Sequence, residues 1–484
     1  MENIQLKPTS VFHYFDEVCQ VPRPSKHEEK IRAYLLAFAE KHSLEVKTDE
    51  AGNVLIKNPA TPGMESLKTV ILQSHIDMVC EKNGDVEHDF LNDPIQTYVD
   101  GEWLKAKGTT LGADNGIGIA TQLAVLAADD IQHGPIECLF TVDEETGLTG
   151  AFALKEGFME GDILINLDSE DEGELFIGCA GGANTTAEFA YQTIDAPQDY
   201  FFFRVAIKGL SGGHSGDDIN KNRANANKLL VRFLTQLQAK YDFYLCHIDG
   251  GNLHNAIPRE AEALCAVPMK YKEPVRIDMN IYTAEIENEY SVTEPNLRTE
   301  LSSESPVAKA IDRQVVKNLL KSVYAVHNGV YAMSQDMEGL VETSSNLASI
   351  KMEEGCIRIV TSQRSSILSS RQDMSEMIRS AFELGGAKVT TGDGYPGWKP
   401  NPSSDILRVA VESYKRLFGV EPKVKAIHAG LECGLFLEKY PSLDMFSTGP
   451  TLRGVHSPDE RMHIPSVDKF WQHLLDVLAH VPQK

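Results

Sequence analysis

Several apolar runs in this sequence stop short at a histidine or a carboxylate. "VILQSH" ends at His75, with Asp77 two positions on; "LFTVDEETG" runs into Asp143, Glu144 and Glu145; "ILINLDSED" reaches Asp168; "MFSTGPTLRGVHSPDE" arrives at His456. A further stretch, "TTLGADNGIGIA", sets Asp114 and Asn115 ahead of a helix-forming segment. Imidazoles and carboxylates are costly to bury unless something pairs them. A chain that places them repeatedly at the ends of buried strands therefore has to bring them together. In open α/β sheets, ligands bind beyond the carboxyl ends of the strands. Two imidazoles and several carboxylates converging on one such rim suit zinc, manganese or cobalt far better than calcium. Taken singly, each signal is weak: a strand-end histidine is usually a satisfied polar residue, and "DEE" is usually a solvated turn. "GADNGIG" lacks the Lys-Ser/Thr of a phosphate loop and is not G-x-G-x-x-G. Their combination in one order along one chain carries the signal.

The 484 residues exceed one ordinary hydrophobic core, so two domains are expected. Val11, Phe12, Tyr14, Phe15 and Val18 recur at helical spacing after a Thr9/Ser10 cap signal, and Ile31, Tyr34, Leu35 and Phe38 mark a second helix. Short runs follow ("NVLIK", "TVILQSH", "IECLFTVD", "DILINLD"), separated by helical or loop segments. This alternation predicts an α/β fold with a mixed, largely parallel sheet. Near residue 187 the pattern changes to alternating strands such as "FFFRVAIKG" and "CIRIVTSQRSS". A helix face of Leu229, Leu230, Phe233, Leu234 and Leu237 lies between them. Helix–strand alternation returns after "TGDGYPGWKPNPSS". The expected organisation is an α/β domain of residues 1–186 and 399–484, interrupted by an inserted α+β lid of 187–398. Within the lid, "GGNLHNAIPREAEALCAV" and "SSNLASIKMEEGCIRIVTSQR" share Asn-Leu, a turn and an alternating strand, the pattern of an internal duplication.

Composition narrows the function classes. A net charge of −24 argues against nucleic acid or an anionic membrane as a main partner. No apolar run reaches the roughly 18–20 residues needed to span a bilayer. The opening "MENIQLKPTSVFHYFDEVCQ" lacks the basic segment and apolar core of a secretory signal. Eight scattered cysteines with no C-x-x-C read as reduced, buried thiols, which places the protein in the cytoplasm.

With these residues in view, the sequence resembles the di-zinc peptidases, the family that includes aminoacylase, carboxypeptidase G and carnosinase. "SHIDMV" is similar to the family's His-x-Asp motif, "GADNG" to the segment of its bridging aspartate, and "DEETG" to its paired glutamates. "LDSE" and "RGVHSPDE" are similar to its last two ligand positions. "GCAGG", "SGGHSGDDI", "HNAIPRE", "HAGLECGLF" and "YPGWKP" look like its aminoacyl-histidine dipeptidase branch. The resemblance spans essentially the whole chain.

Carried over residue by residue, it implies two zinc ions, with manganese or cobalt as substitutes. One is assigned to His75, Asp114 and Asp168, the other to Asp114, Glu145 and His456, with Asp114 bridging. Some relatives carry Glu at the position of Asp168; the shorter carboxylate still coordinates. Asp77 is expected to accept a hydrogen bond from His75, fixing its tautomer, or to cap the loop. Glu144 is the expected general base toward a metal-activated water, and His214 the donor to the oxyanion. Asn255, Arg364 and the backbone at Gly430 are expected to bind substrate, Arg364 through a free C-terminal carboxylate. The implied substrates are small dipeptides, Xaa-His dipeptides such as β-alanyl-histidine included. An N-acyl amino acid hydrolase or deacetylase on the same metal centre is the alternative, and a non-catalytic metal-binding protein is a third reading. The lid's size fits either a homodimer through this domain or His214 supplied within one chain, so the oligomeric state stays open.

Overall fold

The computed structural model describes residues 6–484. The first five residues of the opening stretch, where no secretory signal is expected, lie outside it. The chain divides into two compact units. One comprises the residues up to Gly178, Pro400–Ala426 and Leu431–Lys484; the other comprises Cys179–Lys399 and Ile427–Gly430.

The first unit is built on an eight-stranded sheet. Its spatial order is Glu45–Thr48, Val54–Asn58, Ile136–Thr141, Val70–His75, Ile163–Asn166, Asp444–Ser447, Glu174–Cys179, Lys423–Ile427. The strands from Ile136–Thr141 to Asp444–Ser447 pair in parallel, and the strands flanking them pair antiparallel. The expected α/β sheet, parallel at its centre, is thus present. Every residue of Val70–His75, Ile136–Thr141 and Ile163–Asn166 is buried, which is why these strands read as continuous runs rather than alternations. Register aligns their ends, with His75 opposite Thr141, Gln73 opposite Asn166, and Asn166 opposite Ser447. Whatever follows each strand therefore emerges on one rim. Helix Ala113–Leu126 packs on Val70–His75 and on helix Thr9–Cys19, while Asp405–Phe418 packs on Asp444–Ser447 and on Ile464–Ala479.

Two details differ from the sequence reading. The first helix starts at Thr9 itself, with Pro8 in the capping position and no side-chain cap, so neither Thr9 nor Ser10 caps it. Pro8 is itself extended, at φ −72° and ψ 138°, and its carbonyl accepts from the N–H of Phe12 at 3.2 Å. The segment around His456 is also more regular than expected. Leu452–Arg453 and Arg461–His463 pair in a small four-stranded sheet with Trp103–Ala106 and Thr97–Asp100, so His456 sits at the tip of a hairpin.

The second unit is a nine-stranded antiparallel sheet. Helices Ala226–Lys240, Lys272–Glu289, Arg313–Ala325 and Leu368–Leu384 contribute Phe233, Tyr282, Leu319 and Phe382 to one continuous core with strand residues such as Phe203, Cys265 and Ile359. Among the described residues, no helix is long and apolar enough to cross a membrane, and six of the eight cysteines are buried.

Candidate metal centre

His75 ends a central strand and is almost fully buried. Its Nε2 lies 2.9 Å from Asp114 Oδ1 and 3.3 Å from Asp168 Oδ1. His456 Nε2 lies 3.1 Å from Asp114 Oδ2 and 3.1 Å from Glu145 Oε2. The two oxygens of Asp114 thus face two different imidazoles, each with a further carboxylate beside it. All five residues expected as metal ligands are brought together in this one unit.

Local structure explains each placement. The peptide between Asp114 and Asn115 is cis, and both residues are non-helical. Regular helix begins only after Asn115, whose Oδ1 accepts from the N–H of Gly118 as a cap. Asp114 is therefore held ahead of the helix, where its carboxylate is free to face the rim. The loop before it is gripped by Glu460, which accepts from the N–H groups of Leu111, Gly112 and Ala113 at 2.7–2.9 Å. Gly112 has φ +69°, and a Cβ there would lie 2.7 Å from Arg23 Nη2, so glycine is needed twice over. Arg23, 2% exposed, donates to the carbonyls of Ile76, Asp77 and Gly112. It ties the turn after His75 to the loop before Asp114.

Asp77 lies 3.2 Å from His75 Nδ1. It also accepts from Ser25 Oγ at 2.7 Å and from the backbone N–H groups of Glu144 and Glu145 at 3.0 and 3.2 Å. Its contacts thus match both expected roles, histidine partner and loop cap. Asp143 and His456 are both in the left-handed region, at φ 49° and 61°. Strained backbone of this kind persists only where surrounding contacts hold it, and for Asp143 these are Thr146 and Thr149 donating to its carboxylate and its own N–H donating to Glu28. Glu28, Asp77 and Asp143 form a second buried acidic group, but their oxygens are taken up by these donors.

The electrostatics of the rim point to a cation. Burial opposes charge on His75, yet Asp168, Asp114 and Asp77 raise its pKa well above the ordinary imidazole value. His456 is pushed up to about 11 by its hydrogen bonds with Asp114 and Glu145. Burial would raise Asp114, but the two histidines hold it well below the usual carboxylate range. Burial, with Asp114 nearby, lifts Asp168 to about 7 against the pull of His75. Burial also opposes ionisation of Asp77, yet the hydrogen bond and charge of His75, with Ser25 and Glu144 N–H, take it down to about 2. Both imidazoles are thus drawn to carry protons because the carboxylates around them need positive charge.

The donor set fits a metal pair. The N···O separations of 2.9–3.3 Å match the roughly 3.3 Å edge of a tetrahedral ion with ligands at about 2.0–2.1 Å. His75, Asp114 and Glu145 offer ligand atoms within 4.8 Å of one another. Glu145 Oε1 is buried with no hydrogen-bond partner among the described residues, an unmet acceptor that a cation would satisfy. Glu144 is partly buried beside this group. Its carboxyl is raised well above the usual range by burial, with His75 lowering it and the charges of Asp168, Glu432 and Glu145 raising it.

His214, Asn255, Arg364 and Gly430 all belong to the second unit. His214 Nδ1 accepts from the N–H groups of Gly216 and Asp217 at 3.3 and 3.2 Å. Arg364 Nη2 lies 3.5 Å from His214 Nε2, and its Nη1 donates to Tyr395 Oη at 3.0 Å. A Cβ on Gly430 would lie 2.7 Å from the Tyr395 ring, so the chain passes the ring too closely for any side chain. Asn255 is exposed, and its backbone carbonyl accepts from Ser215 N–H at 2.8 Å.

Sequence reasoning missed Arg23, Ser25, Glu28, Tyr395 and Glu460. Glu460, four positions after His456, had a signal in "HSPDE", though it reads as solvated turn. Arg23 in "VPRPS" had none, because its partners are carbonyls.

The sequence matches the family model for peptidase family M20/M25/M40 over residues 71–480. It is 44% identical over 480 residues to the cytosol non-specific dipeptidase of Escherichia coli (strain K12), covering 99% of each chain. The solved structure of aminoacylhistidine dipeptidase from Vibrio alginolyticus matches at a TM-score of 0.94 and 45% identity, covering 99% of this chain and 98% of that one. Aminopeptidase PepT from Bacillus cereus, at a TM-score of 0.58 and 16% identity with 98% of each chain covered, shares the fold. Matched by the family model over most of its length and by full-length relatives, the chain belongs to peptidase family M20/M25/M40.

Proposed function

We propose that the protein is a metal-dependent dipeptidase acting in the cytoplasm on dipeptides with a free C-terminus, Xaa-His substrates such as β-alanyl-histidine included. The observation that carries this reading is Asp114, one carboxylate facing two imidazoles through its two oxygens. The names of the full-length relatives support the substrate class.

In this reading His75, Asp114 and Asp168 would hold one zinc ion, and Asp114, Glu145 and His456 would hold the other, with manganese or cobalt able to substitute. When bound, such a pair lowers the pKa of water toward 7 and polarises the scissile carbonyl. Asp77 fixes the tautomer and direction of His75. Glu144, adjacent to Glu145 but assigned to no ion, takes the proton from the attacking water and returns it to the departing amine nitrogen as the C–N bond breaks. His214 donates from Nε2 to the developing oxyanion. Arg364 pairs with the substrate carboxylate through two parallel hydrogen bonds, and Asn255 and the backbone at Gly430 complete its binding.

The test is a side-by-side assay of Ala-His and N-acetylhistidine on the zinc-loaded protein. Faster hydrolysis of Ala-His is expected; a preference for N-acetylhistidine would overturn the dipeptidase assignment in favour of an N-acyl amino acid hydrolase.

A further inference from the structure

A row of buried polar side chains crosses the parallel strands at the level of the metal centre. Asn166 Nδ2 donates to Gln73 Oε1 at 2.6 Å, Ser447 Oγ donates to Asn166 Oδ1, and Ser169 Oγ meets Ser447 Oγ at 2.7 Å. At its other end Gln73 Nε2 donates to Glu432 Oε2 at 2.7 Å, and Thr141 Oγ1 donates to the same oxygen at 3.0 Å. Glu432, the first residue of helix Glu432–Lys439, is 2% exposed. Its other oxygen, Oε1, is buried with no hydrogen-bond partner among the described residues. The charged neighbours that act on it most are His75, followed by Asp168.

If scaffolding were the whole of its role, an amide would serve. Glutamine could accept the same two hydrogen bonds through its carbonyl oxygen and would bring no charge into the interior. A buried carboxylate requires a paired charge, and among the described residues Glu432 accepts hydrogen bonds from the neutral side chains of Gln73 and Thr141. His75, which lies opposite Thr141 and two positions beyond Gln73, is assigned with Asp168 to one ion of the pair, and the charges of both act on Glu432. We propose that Glu432 is a positioning residue for the His75–Asp168 metal ion, supplying negative charge to that half of the centre from behind its ligands while anchoring the polar row through Oε2. The inference rests on the ligand assignment above, not on which peptide is cleaved.

The experiment is a calorimetric zinc titration of chelator-stripped protein, with Glu432→Gln placed in two backgrounds. In His456→Ala, which leaves the His75 side intact, Glu432→Gln is expected to raise the zinc Kd about 10–100-fold, the range for residues that support metal ligands. In His75→Ala, which removes a ligand of the ion that Glu432 supports, it is expected to change the remaining affinity less than about twofold. Metal-free Glu432→Gln should melt at or above the temperature of the metal-free parent, because it removes a carboxyl whose ionisation burial opposes. Unchanged zinc affinity in the first background, equal weakening in both, or a metal-free variant that melts lower or fails to fold would each overturn the proposal. The titration uses no peptide, so a protein that meets these expectations but leaves Ala-His intact would refute the dipeptidase reading alone.

Discussion

Glu144 and Glu145 are neighbours in sequence with different surroundings. Glu145 meets His456 and keeps one oxygen unpartnered, whereas Glu144 lies in a field of other carboxylates. The backbone N–H groups of both are held by Asp77. Glu144→Gln preserves side-chain shape and leaves that backbone anchor untouched. The variant is expected to retain both metal ions by elemental analysis and to lose about 10²–10⁴-fold in turnover of Ala-His, the usual contribution of a positioned acid–base group. Near-normal turnover would remove Glu144 from the proton-transfer role. The convergence of His75, Glu144, Glu145 and Asp168 was legible in the sequence because each lies at or just past the end of a buried strand. Arg23 and Glu460 were not, because they act on backbone carbonyls and N–H groups contributed by other segments, and backbone partners leave no mark on residue type.

Among elements, the central strands announced themselves through unbroken apolar runs. The hairpin of His456 did not, since its strands, Leu452–Arg453 and Arg461–His463, are too short for a period to show. A comparable local surprise is His428 in the Ile427–Gly430 segment. Its Nε2 accepts from Ser344 Oγ at 2.7 Å. Burial, reinforced by Arg364 and His214 and opposed by Asp217 and the Val341 carbonyl, lowers it to about 3. An unfolded histidine titrates near 6.5. Between those values the unfolded chain binds the extra proton, so stability rises with pH across the window. His428 contributes fully above about 6.5, and its contribution falls away toward pH 3. Urea unfolding from pH 6.5 down to 4.5 should therefore show a shallower loss of stability in His428→Asn than in wild type, by up to about 1.4 kcal/mol per pH unit. Parallel profiles would mean that His428 carries its proton in the folded protein.

For the whole molecule, both units bury apolar side chains, but only the first also gathers the carboxylates and imidazoles described above, at its sheet rim. Ions that bind only the folded state stabilise it by mass action, about 4 kcal/mol at a thousand times Kd. Chelation is thus expected to lower the melting transition of the first unit by several degrees while leaving that of the second in place, with zinc restoring the original scan; a calorimetric trace indifferent to chelator would count against a structural contribution from the ions. The division between units also constrains how such a protein can be re-engineered. The tetrapeptide Ile427–Gly430 belongs to the second unit although its flanks belong to the first, and the N–H of Ala180 donates to the carbonyls of both Ile427 and Ala429. The second unit is therefore no detachable cassette: cutting out Cys179–Lys399 would strand a piece of it in the remaining polypeptide, and a transplanted copy of that stretch would arrive without one of the unit's own segments.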